Sequence, residues 1–178
     1  MKKLFLSIVV ASLTLASCGG GGGETEAQPE EKKLQAPQKS SDYGEEESNA
    51  DVPETVEVTI EGNDQMRYNL EKIEVYEGQT VKLTLKHVGE MAKEAMGHNW
   101  VLLAKGTDKA EYATAAVQAK DEDYSPSALA DQVIAHTETI GGGNETTIEF
   151  EAPAKGTYDF ICSFPGHYGL MNGKFIVK

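Results

Sequence analysis

Apolar and polar positions alternate through much of residues 54 to 178. Val56, Val58 and Ile60 are separated by Glu57 and Thr59, the two-residue period of a strand with one buried face. Val81, Leu83 and Leu85 repeat the pattern against Lys82, Thr84 and Lys86, and Ile148 and Phe150 repeat it against Thr147, Glu149 and Glu151. Tyr158, Phe160 and Cys162 fall on one face of another predicted strand. Two runs with few charges, Asn99 to Ala104 and Gln132 to Thr137, also read as strands, and Phe175 to Val177 closes the chain. Turn-forming residues separate the runs at Glu61 to Asp64, Gly141 to Asn144 and Asn172-Gly173. One segment breaks the period. From Thr107 to Lys120, Ala110, Ala113, Ala116 and Val117 recur at helical spacing, which predicts a short helix inserted between strands. Many short strands and one helix in residues 54 to 178 predict an all-β Greek-key sandwich or barrel.

The N-terminal third has a different pattern. Lys2 and Lys3 precede an apolar run from Leu4 to Val10, which continues to Leu15-Ala16-Ser17-Cys18. The run is too short for a stable membrane span and reads as an export signal over residues 1 to 17. Its ending resembles a bacterial lipobox, which implies cleavage before Cys18 and acylation of that cysteine. The plainer alternative is an ordinary signal peptide ending near a cysteine. Residues 19 to 53 are mostly Gly, Glu, Gln, Pro, Ser and Lys, a composition that cannot repay ordering. With Cys18 they form a predicted tether, with a mean reach of about 30–35 Å as a flexible coil.

Charge narrows the partners. The formal net charge of −13 includes Lys2 and Lys3; without those two it is about −15. Such acidity argues against nucleic acid, which is bound through clustered Lys and Arg. It suits either simple solubility or a basic partner surface.

The candidate chemistry lies near the C-terminus, in Cys162-Ser-Phe-Pro-Gly-His167-Tyr-Gly-Leu-Met171. The chain has two cysteines. If Cys18 is acylated, Cys162 is a lone thiol in an oxidising compartment, where it needs shielding. A thiolate, an imidazole and a thioether within ten residues make an unusual donor set. Structural zinc sites seldom use Met. Soft sulfur beside imidazole favours copper, and two His, one Cys and a weak axial Met describe a blue-copper centre. His98, opening a predicted strand, is the candidate second imidazole. The competing readings are a buried core cysteine and a nucleophilic Cys–His pair. Of the other two histidines, His136 reads as a surface residue, and His87 as one near the site without binding metal. Trp100 reads as core.

Four segments together resemble azurin, of the blue-copper cupredoxin family. They are Asn63-Asp-Gln-Met66, Met96-Gly-His-Asn-Trp-Val-Leu102, Val133-Ile-Ala-His-Thr137, and Cys162-Ser-Phe-Pro-Gly-His167 followed by Leu170-Met171. The resemblance covers essentially all of residues 55 to 178. It implies a cupredoxin barrel with an extra helix, and a one-electron shuttle between redox proteins rather than an enzyme. No small-molecule substrate is expected. By the same resemblance one type 1 copper ion would bind His98, Cys162 and His167, with Met171 as axial ligand and the Gly97 carbonyl opposite. Asn99, Ser163 and Phe164 would surround the ligands. Pro165, Gly166, Gly169 and Leu170, with Met66, Met91 and Met96, would form an apolar patch for transient redox partners, and Phe164 would add to it. Azurins typically carry a disulfide near the N-terminus, for which this chain has no cysteine. Tyr168 is bulkier than the small residue common beside that histidine. The acylated Cys18 would place the protein on a membrane of the bacterial cell envelope. Copper trafficking or storage is the alternative function.

Overall fold

The computed structural model describes residues 52–178. Cys18, the leader and most of the tether lie outside the described residues. Nine strands form two sheets, as the alternation predicts. β1 (Thr55–Asn63), β2 (Arg67–Tyr68), β4 (Thr80–His87) and β7 (Glu145–Glu151) make one sheet in the order β2-β1-β4-β7. β3 (Lys72–Val75), β5 (Val101–Leu103), β6 (Val133–His136), β8 (Gly156–Ile161) and β9 (Asn172–Val177) make the other, in the order β3-β9-β8-β5-β6. β1 pairs with β4, and β3 with β9, in parallel, while the remaining pairs are antiparallel.

Register follows the sequence period. Val81, Leu83 and Leu85 of β4 are fully buried, and each such side chain contributes about 1.5–3 kcal/mol. Their neighbours point outward and pair across strands. Glu57, Lys82 and Glu149 lie in one row, Thr59, Thr84 and Thr147 in the next, and Glu61, Lys86 and Glu145 in a third. The lysines bridge to Glu57 at 3.1 Å and Glu145 at 3.0 Å. A one-residue slip would bury these charges and expose the leucines, so the pattern pins the register. Between the sheets, the fully buried Trp100 packs against Phe150, Phe160 and Phe175 at 5.7–6.2 Å between ring centroids, which bears out its reading as core.

Two helices interrupt the strands: α1 (Lys93–Met96) and α2 (Lys109–Ala116). The inserted helix was expected over Thr107 to Lys120 and is shorter at both ends. Asp108 caps α2, accepting from the backbone N–H of Ala110 (2.8 Å) and Glu111 (3.0 Å), a contribution of about 1 kcal/mol. Its buried side is Tyr112, Ala113 and Ala116, whereas Ala110 and Val117, at the same helical spacing, are exposed. The chain then turns through Asp123 and Tyr124, two non-glycine residues at φ 53° and 59°.

Three other expectations need correcting. Asn172-Gly173 is no turn but the start of β9: a Cβ on Gly173 would lie 2.3 Å from Phe160 and 2.5 Å from the Glu71 carbonyl, so the glycine permits close approach. The strand expected from Asn99 to Ala104 is only Val101–Leu103, and His98 pairs with Ile140 as an isolated bridge rather than opening that strand. β2 and β3 were not anticipated.

Candidate metal centre

Three segments converge at one end of the sandwich. His98 follows α1 and is fixed by a reciprocal backbone pair with Ile140, at 2.9 and 2.8 Å. Cys162 lies one residue past β8, and its N–H donates to the Met171 carbonyl (2.9 Å), closing the loop between β8 and β9. Within that loop the N–H of His167 donates to the Phe164 carbonyl (3.0 Å), and that of Met171 to the His167 carbonyl (2.8 Å). Gly166, at φ 82°, lets the chain turn there, where a Cβ would add strain.

This folding brings one candidate ligand atom from each of His98, Cys162 and His167 within 4.8 Å of one another, all three residues being buried. Cys162 Sγ lies 3.6 Å from His167 Nδ1. The His98 Nε2 atom is 2.9 Å from the Asn63 carbonyl, which can only accept, so Nε2 carries the proton. Nδ1 of His98 is then an unprotonated, buried nitrogen with no hydrogen-bond partner among the described residues. An orphaned lone pair costs free energy unless something occupies it. Two imidazoles and a thiol converging on one point fit a soft metal ion well.

Electrostatics agree. Burial pushes the Cys162 thiol up to about 11, against the N–H groups of Asn99 and Phe164 and the Tyr68 hydroxyl, which pull the other way. Burial, then the His98 and His87 charges, lowers His167 to about 4. His98 is lowered mainly by burial, opposed by the Asn63 carbonyl. Both imidazoles therefore stay neutral, the form that ligates.

The surroundings hold these groups in place. Asn99 Nδ2 donates to Ser163 Oγ (2.8 Å) and to the Asp123 carbonyl (3.1 Å), while its Oδ1 accepts from the Ser163 N–H (2.9 Å). Ser163 Oγ donates to the Tyr124 carbonyl (2.7 Å), and Thr139 Oγ1 to that of Asp123 (2.9 Å). The left-handed turn after α2 thus aims two carbonyls at the site, and those bonds hold its unfavourable backbone. The Phe164 ring packs on His167 at 4.8 Å and Tyr124 at 5.0 Å. Gly97 is wedged: a Cβ there would meet the Lys93 carbonyl, Phe164 and Thr139, each at 2.7 Å. Met171 is fully buried, and a Cβ on Gly62 would strike both its methyl (3.2 Å) and the His98 ring (2.7 Å).

His87 is buried and stacks on His98 at 4.2 Å, 13° from parallel. Its Nε2 donates to the Met96 carbonyl (2.8 Å) and its Nδ1 accepts from the Gly89 N–H (3.1 Å), so both nitrogens are engaged. His136 is exposed. On the surface, Met91, Gly166, Gly169 and Leu170 are exposed, whereas Met66, Met96 and Pro165 are half-buried. An apolar groove runs beside the loop between Phe164, Tyr168 and the exposed Val117 just past α2. Tyr68 went unnoticed in the sequence, because a tyrosine in a two-residue strand carries no periodic signal.

A family profile described as "Copper binding proteins, plastocyanin/azurin family" matches residues 54–178. Azurin from Achromobacter denitrificans is 44% identical over 122 residues, covering 66% of this chain and 80% of that one. Outer membrane protein H.8 from Neisseria gonorrhoeae is 44% identical over 120 residues, covering 65% of this chain and 64% of that protein. Among solved structures, reduced auracyanin from Roseiflexus castenholzii has a TM-score of 0.63 at 32% identity, covering 71% of this chain and 98% of its own. An azurin from Methylomonas sp. strain J has a TM-score of 0.62 at 32% identity, covering 68% and 97%. With a family profile over the whole described barrel, relatives at this identity and a donor set suited to copper, the chain belongs to the plastocyanin/azurin family of copper binding proteins.

Proposed function

We propose that this chain is a one-electron shuttle of the cell envelope, in which His98, Cys162 and His167 hold one copper ion. Met171 and the Gly97 carbonyl flank it as weaker donors. The observation that carries the reading is the buried Nδ1 of His98, without a hydrogen-bond partner among the described residues, beside a buried thiol and a second buried imidazole. Bound copper supplies the Cu(II)/Cu(I) couple. The chain's own residues keep the donors nearly still as charge changes. His98 is held through Asn63 and Ile140, and the loop through Asn99, Ser163 and the Asp123–Tyr124 turn. Little rearrangement favours fast electron exchange, so the protein acts as a carrier and not as an enzyme.

Leu170, Gly166 and Gly169 are exposed on the same loop as His167, and this patch suits brief docking of redox proteins. Acylation of Cys18 would keep the domain near a membrane, and a relative named as an outer membrane protein supports an envelope site. Trafficking or storage fits less well, because handing over copper needs accessible ligands and all three here are buried. The deciding experiment loads the protein with one copper and compares reversible voltammetry with copper loss to a chelator. Fast redox cycling with slow loss supports the shuttle; rapid exchange with poor cycling reverses the assignment.

A further inference from the structure

Tyr68, in the short strand β2, is 9% exposed, and its phenol hydroxyl donates to the backbone carbonyl of Asn99. The ring is wedged against Phe160 of β8 at 5.9 Å. Asn99 is where the centre is most tightly laced. It follows His98 directly, its side chain ties down Ser163, and its N–H is one of the groups that pull the Cys162 thiol down against burial. The two backbone groups of Asn99 belong to different peptide units, joined through its Cα. Its N–H lies in the unit shared with His98 and serves Cys162, while its carbonyl lies in the unit shared with Trp100 and is taken by Tyr68, so the torsions of Asn99 set where each points.

We infer that Tyr68 is a positioning residue of the copper centre, its hydroxyl holding the Asn99 carbonyl so that the backbone torsions of Asn99, and with them its N–H at Cys162 and its side chain on Ser163, keep their setting. The clamp reaches the centre from a strand contributing no ligand, and it ties β2 of one sheet to the segment leading into β5 of the other. Without it the Asn99 carbonyl loses a buried donor and the torsions at Asn99 are freer to change. Groups that orient metal ligands from behind are typically worth 10–100-fold in metal affinity. The inference rests on the copper reading and deepens it.

The molecule supplies its own control. Tyr158, in β8, is also buried, and its hydroxyl donates to the Ala154 carbonyl (2.6 Å), a bond of the same kind that the site does not use. Tyr68→Phe and Tyr158→Phe each delete one hydroxyl and keep the ring. Amide hydrogen exchange in the metal-free full chain is read first, then copper release to a chelator from the loaded chain. In Tyr68→Phe, Asn99 amide exchange should speed about tenfold relative to the amides of β5, and copper release should rise about tenfold. Tyr158→Phe should change neither. The inference is overturned if the Asn99 amide is unmoved, if copper release is unmoved, or if the two variants behave alike. The metal-free arm keeps the outcomes apart: failure of the copper reading appears as no copper bound by the parent chain, whatever the Asn99 amide does.

Discussion

Lowering the pH should weaken metal binding by a fixed, countable amount, which tests the electrostatics of the site without a mutation. The Cys162 thiol is pushed up to about 11, so the metal-free protein holds its thiol proton throughout the neutral range. His167 is lowered to about 4 and His98 is lowered too, so neither imidazole holds an extra proton there. Metal bound to the thiolate therefore expels one proton, from Cys162 alone. Affinity should rise about tenfold, or about 1.4 kcal/mol, for each pH unit between about 6 and about 10. An unperturbed thiol would level off near its ordinary value of about 9. Here the rise continues past it. Zinc(II) is the right probe because it has no redox chemistry to consume the thiol. Its affinity is read by competition with a chelator of known pH behaviour. A slope near two below about pH 6.5 would show a protonated imidazole and refute the burial argument for the histidines. A plateau near pH 9 would refute it for the cysteine.

Other consequences are as specific. Asn99→Ala removes the acceptor of the buried Ser163 N–H and a donor to Ser163 Oγ, and should cost about 2–3 kcal/mol in urea unfolding of the metal-free protein. Gly62→Ala places a methyl 2.7 Å from the His98 ring, so it should destabilise the fold by about 1–3 kcal/mol and speed metal release; normal retention of metal would contradict the packing described. Trp100 is fully buried among phenylalanines, its Nε1 without a hydrogen-bond partner among the described residues, so its fluorescence should be strongly blue-shifted when native and move red on unfolding.

The fold was legible wherever one face of a strand is buried and the other wet, as in β1, β4 and β7. It was illegible where length or context decides. β2 has two residues and β3 four, too few for a period to emerge. Gly173 reads as a turn residue until Phe160 is seen against it. At α2 the helical spacing of Ala110, Ala113, Ala116 and Val117 marks the element but not its buried side: Ala113 and Ala116 are buried beside Tyr112, whereas Val117 faces a surface groove. Part of the cluster at the site was legible because Cys162 and His167 share one loop. His98 lies more than sixty residues earlier in the sequence, and the β-bridge to Ile140 and the Asn63 carbonyl that fix it belong to tertiary structure. The tyrosine clamp was invisible for the same reason: β2 enters the site only after the sheets close.

One measurement bears most directly on the copper centre: the visible absorption spectrum of the full chain titrated with Cu(II), beside the Cys162→Ser variant. The account predicts an intense thiolate-to-copper band that saturates at one copper per chain and is absent from the variant. A parent chain without the band, or a variant that keeps it, would contradict the assignment of Cys162, and with it the electron-carrying centre.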